Sequence, residues 1–504
     1  MKKESLLSSA SKIVFEKSRN GELTCSFDGI YLHSKYSPLT EGERFARNLQ
    51  ADFSPFCIFI IEPALSYCAS FLKKRFPDAL ICAVRLCSSF TEYDSQWDKV
   101  FYFDNSSDSV SFSEVLFNFL GEEKLISSLT FDWTPSKQIF QEHNSQVWQE
   151  IKKAILKARD VIGTRAYFSK RWLKNSITFA SYIKNTVVLS KTNQPVVITA
   201  SGPSLKSSIP FLKKYRNSFF LIAVSSSFMP LLENEIIPDF VMSSDGGFWA
   251  KKHLNFPSQS DCDTIFALEA ESAVPKNILE TKKILPLIYE DGLEKDFLEA
   301  IECPYLISKR NGTVSGTALE FALSFTDKNV FLCGFDQEPA SGFQHTQPNA
   351  LETDNEKNDF RLKPKETRIT CSRFNSEKSL EIYRSWFISN SQFFEKRVFR
   401  LSDNYKYSYQ LGKITEINWD KFIELSKGND SETTSLKEKQ IDFSKEKRQK
   451  IIKEKLKNLS KTKKFIDEVF PMESILIKRE LSESKKAQMC SELEKKIQNL
   501  IESI

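Results

Sequence analysis

Pro195-Val196-Val197-Ile198-Thr199-Ala200-Ser201-Gly202-Pro203-Ser204-Leu205 is the stretch that decides the fold. An apolar, β-branched run from Pro195 to Ala200 stops at a corner of small residues, and a helical pattern follows. A continuous apolar run without alternation marks a strand buried on both faces of a parallel sheet. Gly202 leaves room for a ligand to approach the backbone and permits dihedrals that other residues avoid. Pro203 suits the first turn of a helix, where its missing N–H costs nothing. Ser201 and Ser204 can cap that helix or bond a ligand oxygen, and the free N–H groups of a helix start favour an anion. An ordinary strand-to-helix turn reads the same way, so the corner gains weight only from what surrounds it.

Working outward, further strands are expected at Phe219–Val224, Phe240–Ser243, Thr264–Leu268, Tyr305–Ile307 and Val330–Cys333, with helical patterns between most of them. Alternation of this kind predicts a Rossmann-like, doubly wound α/β domain over residues 191–428. Residues 1–135 predict a smaller α/β domain. Its strands Phe56–Ile61 and Ala79–Val84 flank a helix over Tyr67–Phe76, one βαβ step. Residues 136–190 read as a helical connector, with Trp148, Ile151, Ile155, Ala158 and Ile162 at helical spacing. Residues 429–504 hold no glycine and one proline, Pro471, and predict two or three charged amphipathic helices. Glu338 to Arg373 is polar and aperiodic, the pattern of a lid or a disordered segment.

The 504 residues are too many for one core. The 42 phenylalanines against 15 glycines point to aromatic packing. The net charge of +5 is unevenly spread: residues 433–504 carry 18 basic and 12 acidic side chains, leaving the rest near −1. That argues against a nucleic-acid platform. The ten cysteines are scattered without a C-x-x-C pair, which fits buried thiols in a reducing compartment. The start lacks a secretory pattern and no apolar run is long enough to span a bilayer, so a cytoplasmic protein is expected. Oligomerisation is left open.

Four polar corners follow expected strands: Ser201 to Ser204, Ser225-Ser226-Ser227, Ser243 to Gly247 with Asp245, and Gly334 to Gln337 with Asp336. All four would lie at the carboxyl ends of the strands, where open α/β sheets bind ligands. Asn311-Gly312-Thr313-Val314-Ser315-Gly316-Thr317 opens a helical run and forms a fifth corner, one suited to an anion or a sugar. His345 is one of four histidines and lies nine residues past Asp336, where it could act as a general base or be inert. Asp261-Cys262-Asp263 mimics an Asp-x-Asp metal motif but follows no strand, and is read as coincidence. No P-loop, nucleophile elbow or H-E-x-x-H motif is present.

Taken together, Ile198-Thr199-Ala200-Ser201-Gly202-Pro203-Ser204-Leu205, Ile236-Ile237-Pro238-Asp239-Phe240 with Asp245, and Asn311-Gly312-Thr313-Val314 with Gly334-Phe335-Asp336 resemble the motility accessory factor (Maf) family of flagellin glycosyltransferases. That family shares a domain with MptE-like pterin diphosphokinases, and the pattern is also similar to that of sialyltransferases. His33 to Phe45 resembles the stretch that precedes this domain in relatives. The chain departs from the pattern at Ala200, where the family has glycine, and at Glu62-Pro63-Ala64-Leu65-Ser66, where relatives have a glycine-rich turn. The resemblance implies a sialyltransferase-like central fold and transfer of a nonulosonic sugar from a CMP-activated donor to Ser or Thr of a protein such as flagellin. It implies that Gly202, Pro203, Ser204, Ser315 and Gly316 hold the CMP phosphate and ribose, with Ser201, Asn311, Thr313 and Gly334 in the same corners. Ser225 and Ser226 would flank the nucleotide, Asp336 would bind a ribose or cytosine edge, and His345 would take the acceptor proton. The resemblance assigns no cofactor. A divalent cation, Mg²⁺ or Mn²⁺, is an option at Asp245. An MptE-like diphosphokinase using ATP and Mg²⁺, and an inactive scaffold, are the alternatives.

Overall fold

The structure, a computed structural model, describes residues 13–103, 111–255, 263–340, 342–394, 396–402, 405–426 and 436–504. Asp261 and Cys262 of the Asp-x-Asp look-alike lie outside them. The described residues form two compact units, 1–167 with 466–504, and 168–465. The helix Gln141–Tyr182 gives residues to both units, and so does the C-terminal region.

The first unit holds a small antiparallel sheet of β1 (Ile13–Lys17), β2 (Leu23–Phe27) and β3 (Ile30–Tyr31). It also holds a parallel sheet of β4 (Cys57–Ile61), β5 (Leu80–Arg85), β6 (Lys99–Tyr102) and β7 (Ser128–Asp132), in the order β6-β5-β4-β7. Both expected strands are there, and Cys57 to Ile61 are fully buried. At the end of β4, Glu62, Ala64 and Ser66 sit at positive φ (43°, 44° and 68°), so the turn keeps a glycine-like backbone without glycine. The buried Arg85 holds it: its guanidinium donates to Glu62 Oε1 (3.0 Å), the Ala64 carbonyl (2.8 Å) and Ser66 Oγ (2.9 Å). His33 accepts the Leu65 N–H at Nε2 (3.0 Å), which gives the His33 stretch a structural task.

The second unit is built on one sheet. Its strands are β8 (Asn185–Leu189), β9 (Val196–Thr199), β10 (Phe220–Val224), β11 (Phe240–Ser243), β12 (Ile265–Glu269) and β13 (Lys283–Tyr289), followed by β14 (Leu306–Ser308), β15 (Val330–Cys333), β16 (Val398–Leu401), β17 (Thr415–Ile417) and β18 (Leu436–Gln440). The order is β17-β16-β15-β9-β10-β11-β12-β13-β8-β18, with β14 beside β13. From β9 the chain steps outward one strand at a time to β13. It then returns to lay β15 on the other side of β9 and continues to β16 and β17. All these pairings are parallel; only β18 runs antiparallel, against β8. This is a Rossmann-like, doubly wound sheet whose direction reverses between β9 and β15, and such a reversal opens a crevice at the carboxyl ends of the two strands. The β-branched and aromatic residues of these strands pack against the helix Val314–Phe325 in the main core.

Two expectations change, and one strand was not expected. The charged C-terminal region contributes β18 before the helices Lys445–Leu459, Lys463–Val469, Pro471–Arg479 and Glu483–Glu502. Its alternating Lys and Glu suit a sheet edge, where charge discourages further pairing. The polar stretch after Glu338 is partly helical, with Ala350–Glu356 and the first turns of Lys365–Phe394. β13 carries Pro286 at its middle, a residue that argues against a central strand. It is tolerated where that side of β13 passes from pairing with β8 at Ile284 to pairing with β14 at Leu287.

Candidate functional site

The switch point is built from the corners after β9 and β15. Gly334 adopts φ 74°, and a Cβ there would lie 2.1 Å from the Ala200 carbonyl oxygen, so only glycine fits. The Gly202 N–H donates to the Gly334 carbonyl (2.9 Å). Asp336, buried, takes the Ser204 N–H (3.1 Å) at Oδ1 and the Ser204 hydroxyl (2.7 Å) at Oδ2. A Cβ on Gly202 would fall 1.9 Å from that same Oδ2. Gly202 makes room for Asp336, and the carboxylate of Asp336 lies at this helix start. Tyr407 closes the arrangement, donating to the Leu401 carbonyl (2.6 Å) with its oxygen 3.2 Å from Ser204 Oγ. Burial raises the Asp336 carboxyl above its ordinary pKa, while the Ser204 donors oppose the rise.

The next corner joins directly. Ser201 donates its hydroxyl proton to Ser226 Oγ (2.8 Å). Ser225 is buried at the start of the helix Ser225–Glu233. The segment carrying His345 is fastened to the rim: Thr346 donates its N–H to the Ser201 carbonyl (2.7 Å) and its hydroxyl to the Gly202 carbonyl (2.8 Å). Asn349 Nδ2 reaches the Ser226 carbonyl (3.4 Å) and the Asn349 Oδ1 caps the helix Ala350–Glu356. His345 is half-buried, and its pKa is lowered by desolvation, with Glu352 pulling the other way. His253 faces it from the helix Phe248–His253; burial brings His253 down to about 4, with the charge of His345 adding to the effect. Both imidazoles are thus neutral at pH 7, the state a proton acceptor needs.

The Asn311 corner reaches the same edge beside β11. Thr313 caps the helix Val314–Phe325, accepting the Gly316 N–H (2.9 Å). Thr317 donates to Asn311 Oδ1 (3.0 Å) and lies 3.3 Å from Ser244 Oγ. Asn311 Nδ2 is buried and unpartnered. Ser315 and Pro203 are half-buried at their helix starts. Asp245 is exposed and accepts the Gly247 N–H (2.7 Å). The structure therefore joins Ser201, Gly202, Ser204, Ser226, Gly334 and Asp336 by direct contact and fastens the His345 segment to them. Asn311, Thr313, Gly316 and Asp245 gather two strands along. Among the described residues no group of three or more His, Cys, Asp or Glu is placed to share a metal ion.

Beyond these, the ends of β12 and β13 hold charges that the sequence reading missed. Arg310 pairs with Glu271 (3.0 Å) and lies 3.9 Å from the Tyr289 ring centre. Glu269 is fully buried with neither oxygen hydrogen-bonded, and burial raises it to about 8. Glu294 is also raised to about 8 by burial. Tyr407, Thr346 and Asn349 were missed as well. Only Thr346 and Asn349 had a signal, their place in the polar stretch around His345.

Comparison with known proteins bears on this geometry. Residues 170–339 match the family model described as 6-hydroxymethylpterin diphosphokinase MptE-like. A solved structure titled as a MAf glycosyltransferase from Magnetospirillum magneticum AMB-1 superimposes over 97% of this chain and 91% of that one, with TM-score 0.56 and 12% identity. The chain resembles the Maf and MptE-like family. At that identity the superposition speaks for the fold. Two uncharacterized proteins of Treponema pallidum (strain Nichols) are also similar. One is 33% identical over 285 residues, 56% of this chain and 62% of the relative. The other is 21% identical over 134 residues, 26% of this chain and 64% of the relative. The chain thus spans less than two thirds of either relative. Among the described residues no helix is long and apolar enough to cross a membrane.

Proposed function

We propose that the chain is a glycosyltransferase that moves a nonulosonic sugar from a CMP-activated donor to a Ser or Thr hydroxyl of a protein acceptor such as flagellin. The observation that carries this reading is the convergence of the Ser201–Ser204, Ser226 and His345 segments on the switch point of the doubly wound sheet. The fold shared with the Maf glycosyltransferase supports it.

In this reading the Ser201 and Ser226 hydroxyls and the unpartnered Asn311 amide bind the nucleotide. Asp336 does not touch the donor but fixes the Gly202 corner through Ser204. The acceptor oxygen attacks the anomeric carbon as the bond to the CMP phosphate oxygen breaks, and the acceptor proton passes to neutral His345. CMP departs as a phosphate monoester. The leaving group is already good, so positioning and charge stabilisation supply most of the rate. In this reading the reaction takes place in the cytoplasm.

The family model favours a second reading, diphosphokinase activity on a pterin alcohol with ATP and Mg²⁺. Thermal shift separates the two: a ligand at 100 times its Kd adds about 2.7 kcal/mol of stability. CMP should produce that shift, and ATP with Mg²⁺ should not. Intact-mass measurement of flagellin from a deletion strain should show loss of the sugar. A shift with ATP and Mg²⁺ alone, and unchanged flagellin mass, would refute the proposal.

A further inference from the structure

The corner after β11 carries a group that the reading above does not use. Asp245 is exposed, and one of its oxygens is held by the Gly247 N–H (2.7 Å). Gly246 is packed flat against Trp172; a Cβ there would come within 2.5 Å of the indole, so the corner cannot shift inward. Directly after it, Phe248 is 59% and Trp249 40% exposed, their rings edge to face at 5.3 Å. Tyr383, from the helix Lys365–Phe394, is 37% exposed and feels the charge of Asp245. Phe248 has the Lys252 ammonium 5.3 Å from its ring centre, so Trp249 is the large ring left open to water at this corner, a costly exposure unless something covers it.

The frame beneath them is tied to the site. Lys252, four residues past Phe248, pairs with Asp354 (3.0 Å) on the helix that Asn349 caps, and Asn349 holds the Ser226 corner. The platform therefore stands on the same segment that carries His345.

Aromatic faces stack on bases of any kind. A carboxylate adds discrimination, because it accepts from the exocyclic amine of cytosine and repels the carbonyl that uracil has in its place. We infer that Trp249 stacks the cytosine ring of the donor, with Phe248 bracing it edge to face, and that Asp245 reads its amine, making this corner the base-specificity element of the enzyme. The inference rests on the CMP-donor reading above.

The test is titration of the full chain with CMP and with UMP by calorimetry, together with tryptophan fluorescence. Wild-type protein should bind CMP at least about tenfold tighter than UMP and change its indole emission on binding. Trp249→Ala should weaken CMP about tenfold or more, and Trp249→Phe should recover most of the loss. Asp245→Asn should erase the preference for CMP over UMP while the circular dichroism spectrum stays that of the wild type. CMP binding by wild type that neither Trp249→Ala nor Asp245→Asn alters would overturn this inference alone. No CMP binding by wild type would overturn it together with the donor reading.

Discussion

Replacing Gly202 with alanine tests the geometry of the switch point most sharply. The added methyl would sit 1.9 Å from Asp336 Oδ2 and 2.4 Å from the Gly334 carbonyl oxygen, both far inside van der Waals contact. Relief requires Asp336 to leave Ser204, abandoning the 3.1 Å bond from the Ser204 N–H and the 2.7 Å bond from its hydroxyl, or requires the β9 and β15 corners to separate. Overpacking of this kind costs about 1–3 kcal/mol, and a buried carboxylate stripped of donors costs about 1–3 kcal/mol more. The loss should therefore be about 2–6 kcal/mol, felt first at the helix Leu205–Lys214, whose N-cap residue Ser204 is held by Asp336. Native-state hydrogen exchange reads it directly: protection of that helix's amides should fall at least about thirtyfold. Gly163, whose Cβ would meet nothing, is the control and should tolerate alanine. Pairing the change with Asp336→Ala should give less than the sum of the two, since they share one clash. Unchanged protection in Gly202→Ala would refute the claim that this glycine exists to admit Asp336.

Other consequences follow from the same structure. Glu269 and Glu294 are raised to about 8 in the fold from an ordinary value of 4.5, so the folded state holds protons that the unfolded chain has released. Stability should fall as pH rises from 5 to 8, by up to about 1.4 kcal/mol per pH unit for each group, and Glu269→Gln should flatten that slope in denaturation curves measured at several pH values. Thr313→Ala removes the cap of the helix Val314–Phe325 and should cost about 1 kcal/mol, read as faster exchange at Gly316 and its neighbours. His345→Ala should slow sugar transfer by at least about a hundredfold with CMP affinity nearly unchanged, and the acid limb of the wild-type activity profile should lie below the ordinary histidine value of 6.5 because burial lowers that imidazole.

Much of the fold was legible because buried parallel strands announce themselves. Val196–Thr199, Phe220–Val224 and Val330–Cys333 are unbroken apolar runs ending in small polar residues. β13 was hidden by Pro286 and β18 by its charges, since both break the patterns that normally mark a strand. The corners at Ser201 and Gly334 were readable from composition, but their use was not. That a glycine makes way for a carboxylate of the same chain depends on a strand order that brings residues 202 and 336 together, and no local pattern encodes that. Tyr407 gave no signal, for its partner Ser204 lies 203 residues away.

The central claim is that the rim after β9, β10 and β15 grips a nucleotide. Hydrogen–deuterium exchange of the full chain with and without saturating CMP measures it directly. CMP should slow exchange at residues 201–206, 225–228 and 345–349 together and leave the turn after β4 unchanged. Protection confined to other segments, or none at any CMP concentration, would contradict it.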